Sequence, residues 1–294
     1  MLLRNLSYIN NKEFVFKIIE SIADDDSIAL RSCLIVGIHY LISYDKERAF
    51  KLYCKLTRDN NIQIIISNFH IIYMLGKDYL EIILKKLEFL LEVKDITTSY
   101  NVGTILMNFQ YSGFNEIDSL LKKGIRVNQN IRKSVIEFSA KMLSNENQEI
   151  KDISERMFRE SFSICEDEIS NAYDISFTKM DLSGFSLKKE LFIDYSKTQH
   201  VQKKSYHFIK YLLQIVDQYP DEVFCILENY KKFNGDVFIY GMIQEQIIDL
   251  IINIYNYSKN LTTKENAMNL FNNLLMDSNY RKRALRIIQN SDRL

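Results

Sequence analysis

Apolar residues return every three or four positions along nearly the whole chain, and a single proline, Pro220, stands among its 294 residues. That period is the spacing of one helix face, and proline is the residue that most often ends or kinks a helix. Leu80, Ile83, Leu84, Leu87, Leu90 and Leu91 mark one stripe, with Glu81, Lys85, Lys86 and Glu88 opposite. Val15, Ile18, Ile19 and Ile22 mark the first stripe, Ile131, Val135, Phe138 and Met142 another, and Ala267, Leu270, Phe271, Leu274 and Leu275 the last. Nowhere do four alternations of apolar and polar residues stand alone between turn signals, as a strand requires. So little proline also argues against a turn-dense sandwich. The expectation is an all-α fold of about a dozen helices, each one to two dozen residues long.

Polar start signals punctuate the stripes. Asp24-Asp25-Asp26-Ser27 precedes Ile28, Asn115-Glu116 precedes Ile117, Asn128-Gln129-Asn130 precedes Ile131, and Thr262-Thr263-Lys264-Glu265 precedes Ala267. Such residues cap the free N–H groups of a first turn. The periodicity fails from Asn171 to Lys189, where Ser, Asp, Gly and Thr collect. A long non-helical connection in a helical protein marks a site or a boundary. The expected division is therefore a helical half over 1–170, an irregular connection over 171–189 and a second helical half over 190–294.

Charge narrows the function. Lys and Arg number 38, as do Asp and Glu, so no global basic field draws the chain onto nucleic acid. The four cysteines, at 33, 54, 165 and 225, form no C-x-x-C pair and read as reduced thiols in a cytoplasmic protein. Met1-Leu2-Leu3-Arg4-Asn5 leads into no apolar signal core. The most apolar stretch, Ile62–Leu75, is broken by Gln63, Ser67, Asn68 and His70, too short and polar to span a bilayer. Abundant Ile, Asn and Lys with scarce Ala suggest AT-rich coding and a bacterial source.

Two resemblances add to this. Asp24–Arg31, with an acidic residue ahead of an apolar one and then Arg, resembles the turn and second helix of HEAT repeats. Asn128–Arg132 with the stripe that follows resembles it again, and Asn147-Gln148-Glu149-Ile150-Lys151 more loosely. These motifs cover about the first 165 residues and lack the helix proline typical of the family. The resemblance implies a HEAT-like α-solenoid, or an irregular array of antiparallel helix pairs, whose exposed surface binds a partner. In the second half, Phe192–Ser196, His207–Leu213, Tyr219–Val223, Asn266–Leu275 and the terminal Asp292-Arg293 resemble the helical C-terminal regions of bacterial STAND-type NTPases. That resemblance implies a sensor part of a phage-defence system, partnered by an NTPase or another defence component.

No chemistry-bearing motif stands against a binding role. Gly235 and Gly241 lack a following Lys-Ser/Thr, no H-E-x-x-H occurs, and Gly184–Lys188 is not a nucleophile elbow. The expectation is a non-catalytic module with no cofactor and no metal, in which His39 and His70 are core or interface histidines. A helix over about 199–218 would place His200, Lys203, Lys204, His207, Lys210 and Tyr211 opposite an apolar face. Lys282, Arg283 and Arg286 cluster on the last helix, beside Arg281 and Arg293. The primary expectation is recognition of a protein partner. The alternative is local binding of nucleic acid or phosphate through residues 200–210 and 281–293.

Overall fold

A computed structural model describes residues 12–234, 244–276 and 281, and every regular element among them is helical. The all-α expectation therefore holds, but with eighteen α-helical segments in place of a dozen longer ones. Packing separates two compact units, one ending at Ser134 and the other beginning at Val135. The division falls neither at 170 nor in the segment 171–189.

The first unit holds α1 (Lys12–Ile22), α2 (Ile28–Ile38), α3 (Lys46–Leu56), α4 (Ile62–Ile65), a 3₁₀ turn at Ile66–Asn68, α5 (Phe69–Gly76), α6 (Leu80–Leu90), α7 (Ile96–Tyr111) and α8 (Ile117–Val127). The division then lies within α9 (Gln129–Met142). Helices pack against their near neighbours in sequence: α2 on α3 and α4, α5 on α6 and α7, α7 on α6 and α8. This nearest-neighbour pattern is that of helical-repeat proteins.

Caps explain where the elements begin. Ser27 accepts from the Leu30 N–H, Asp45 from Arg48, Asn61 from Gln63 and Asp95 from Thr98. Each such cap is worth roughly 0.5–2 kcal/mol. Arg58 fastens the acidic turn ahead of α2 by donating to the Ala23 and Asp24 carbonyls and to Asp26. Two expected starts differ. No side chain caps α8 at Asn115-Glu116, and the last described helix is capped by Asn260, with Thr262–Glu265 already inside it. In α1 the buried stripe is Val15, Phe16 and Ile19, and Ile18 is exposed.

Both arginines of the repeat-like motifs are buried. Arg31 donates to the Leu56 carbonyl and the Asp59 carboxylate, tying α2 to the end of α3. Arg132 donates to the Ile125 and Arg126 carbonyls at the end of α8. Asn128 caps α9 and also donates to the Leu91 and Val93 carbonyls.

The second unit continues with α10 (Gln148–Arg159), α11 (Asp167–Ser176), α12 (Ser183–Leu187), α13 (Lys189–Ser196), α14 (Gln199–Lys203), α15 (Tyr206–Leu213), α16 (Pro220–Asn234), α17 (Gln244–Tyr257) and α18 (Leu261–Met276). Its core is strongly aromatic: Phe158, Tyr173, Phe177, Phe185, Phe192, Tyr195, Phe208 and Tyr211 are all buried in one cluster. Segment 171–189, expected as irregular, is largely α11 and α12 with a turn at 177–182. Tyr173, Phe177, Met180 and Phe185 carry it into the core. The stripe is hard to see because polar residues occupy buried positions beside them, and each finds a partner. Ser170 pairs with His200, Ser176 donates to the Tyr173 carbonyl, and Asp174 accepts from α15.

Candidate functional site

The single helix expected over 199–218 is two. α14 ends at Lys203, Lys204 and Ser205 leave the helical conformation (φ −149° and −147°), and α15 starts at Tyr206. The cause is the Asp174 carboxylate, which accepts the N–H groups of His207 and Phe208 at 2.9 and 3.0 Å and so creates a helix start there. Burial pushes the Asp174 carboxyl up, against the pull of those N–H donors.

The break changes which way the expected basic stripe faces. His200 is fully buried, between the Ser170 hydroxyl (2.9 Å) and the Ser161 carbonyl (3.2 Å). The carbonyl requires a donor, so Nε2 carries the proton and Nδ1 accepts. Burial holds this histidine below its ordinary range. Tyr211 is also in the core, its hydroxyl donating to the Asp181 carbonyl. Neither side chain reaches a surface ligand, which corrects their assignment to the outer stripe. Lys203 is paired with Asp167 at 2.7 Å. Lys204 and Lys210 are exposed, the latter over the Tyr206 ring, and His207 is half-buried. Lys282, Arg283 and Arg286 lie outside the described residues.

Two of the surface depressions formed by the described residues differ in character. In the second unit, one of about 510 Å³ is lined by Asp152, Glu155, Arg156, Arg159 and Glu160 of α10 and the residue after it. Its charges are largely spent on neighbours. Arg159 pairs with Glu155 and Asp194, and Lys188 with Asp152 and Glu155. A charged ligand would have to break those pairs.

The other, about 460 Å³, lies within the first unit and is lined by Ile62, Glu88, Phe89, Glu92, Val93 and Lys123. The start of α4, the end of α6 with the turn that follows it, and the middle of α8 place these side chains. Its apolar part is Ile62, Phe89 and Val93, and Phe89 is 43% exposed. Glu88 and Lys123 pair across it at 2.8 Å, both about half exposed. A pair in that setting contributes about 0–1 kcal/mol and yields readily to a better partner. Glu92 adds a second carboxylate, so the hollow is apolar with an acidic bias. Ile82, seven residues before Phe89 on α6, is exposed as well.

Sequence reasoning passed over this place, although the signal was present. Ile82 and Phe89 are apolar residues outside the stripe of α6 that packs inward through Ile83, Leu87 and Leu90. Searches of family models, curated proteins and solved structures returned no match to this chain. Among the described residues no helix is long and apolar enough to cross a membrane.

Proposed function

We propose that the chain is a protein-recognition module whose contact site is the hollow at Ile62, Phe89 and Val93. The observation that carries this reading is Phe89, a large aromatic left 43% exposed in a concave apolar setting. Binding energy at protein interfaces concentrates on a few such anchors that fill or line a pocket, ringed by polar groups. The partner's chemistry follows from the lining: an apolar side chain over Phe89, with a cation beside it to meet Glu88 and Glu92.

Phe89→Glu tests the assignment, because the side chain is exposed and its loss leaves the core intact. Partner recovered by the wild-type chain is expected to bind the variant at least tenfold more weakly, at unchanged melting temperature. Equal binding by wild type and variant refutes the site. In a narrower form of the same reading, the partner belongs to a bacterial phage-defence system and an NTPase reads the binding event. That form rests on the resemblance of the segments between 192 and 275 to STAND-type sensor regions. An NTPase or nuclease gene adjacent in the source genome supports it, and its absence there counts against it.

A further inference from the structure

While Ile83, Leu87 and Leu90 of α6 pack inward, the same helix turns a second face to solvent, on which Glu81, Ile82, Lys85, Glu88 and Phe89 are exposed. Ile82 and Phe89, seven residues apart, lie within about 20° of one another around the helix and about 10.5 Å apart along it. Phe89 opens into the hollow with Ile62 and Val93, and Ile82 extends the apolar line two turns back. The flanks are charged. Lys85 pairs with Glu81 and Lys123 with Glu88, and Glu92 leaves the lining of the hollow with two carboxylates against one ammonium.

We infer that the partner presents a basic, amphipathic helix, docked antiparallel along α6 with two apolar side chains seven residues apart over Phe89 and Ile82. The inference rests on the reading of the hollow as a contact site. Spacing selects the helix. An extended strand repeats one face after about 6.4–6.8 Å and again at about twice that, so it misses one anchor when it meets the other. A helix repeats its face at i+7 after about 10.5 Å, and at a crossing angle near +20° the two repeats stay matched over two turns. Grooves that bind helices read anchors of this spacing. Charge selects the sign and the direction. Lys or Arg beside the first anchor meets Glu88 and Glu92, and the positive N-terminal end of the partner helix lies over the negative C-terminal end of α6.

The probe is a synthetic peptide of about fifteen residues, marginally helical by itself, with tryptophan at i, leucine at i+7 and lysine one turn to either side of the tryptophan. The chain has no tryptophan, so fluorescence reports burial of the peptide alone. Wild type is expected to bind it saturably, with a gain of helical circular dichroism. A peptide with the leucine moved to i+5, about 140° round the helix from the tryptophan, is expected to bind at least fivefold more weakly. Ile82→Ser and Phe89→Ser replace exposed side chains without adding charge. Each is expected to weaken binding at least fivefold at unchanged melting temperature. No saturable binding by wild type, no gain of helix, equal binding of the shifted peptide, or equal binding by Ile82→Ser overturns the inference. Where Phe89→Ser alone weakens binding, the hollow stands without the helix. Equal binding by Phe89→Ser removes both.

Discussion

Asp174 shows how one buried side chain decides the course of the backbone elsewhere. It sits in α11 yet caps α15, using one oxygen for two N–H groups more than thirty residues away. Asp174→Ala leaves both N–H groups without an acceptor and is expected to cost about 1–3 kcal/mol. Asp174→Asn keeps an acceptor oxygen and discards a desolvated charge, so it is expected to cost less. The pH dependence separates the two effects. Because burial raises its folded-state pKa, the carboxyl favours folding at pH values below its unfolded pKa of about 3.9. That contribution is lost as pH rises through the folded value. Urea unfolding from pH 3.5 to 7 is therefore expected to move the wild type–Asp174→Asn difference steadily in favour of the variant. A difference that stays flat across this range means the carboxyl carries no burial penalty.

Among the elements, close approach of helices is set by the smallest residue. At Gly76, the last residue of α5, an added Cβ would lie 2.2 Å from Cζ of Phe109 on α7. Phe109 is fully buried between Tyr73 and Phe114 and has no room to retreat. Gly76→Ala gains helix propensity of about 1 kcal/mol at most, whereas overpacking costs about 1–3 kcal/mol. A net loss of stability is expected in chemical denaturation, with partial recovery in Gly76→Ala/Phe109→Leu. No recovery in the double variant would show that the strain lies elsewhere than at this ring. The same scale explains which elements can be read from the sequence. The helix α6 is legible because its buried positions Ile83, Leu87 and Leu90 are all aliphatic. From α11 to α15, buried positions carry Ser170, Asp174, Ser176, His200 and Ser205. Apart from Ser176, which bonds the Tyr173 carbonyl three residues back, their polarity is compensated by hydrogen bonds to distant residues, which no local period encodes. For that reason the sequence pattern of a helical segment looks irregular, and that of a broken helix looks continuous with His200 and Tyr211 facing out.

For the molecule as a whole, the even balance of 38 cations and 38 anions is expressed as many exposed pairs. Lys46 with Asp78, Lys55 with Asp24 and Lys203 with Asp167 are examples. Pairing of this kind lowers the field available to a polyanion, and it bears directly on the nucleic-acid alternative. Of the candidate residues in 200–211, Lys203, Lys204 and Lys210 are the cations open to solvent, and Lys203 must leave Asp167 to meet a phosphate. Were all three to contact phosphates of a duplex, the logarithm of the binding constant would fall with a slope of roughly −3 against the logarithm of salt concentration. Recognition through Phe89, Ile62 and Val93 depends on apolar burial and is only weakly screened. Titration with duplex DNA and single-stranded RNA at rising salt is thus expected to show no steep slope. Partner binding, by contrast, is expected to survive moderate salt. A slope near −3 abolished by Lys204→Glu/Lys210→Glu would reverse that assignment. The working surface would then be the basic one, because neither residue contributes to the hollow that α4, α6 and α8 enclose.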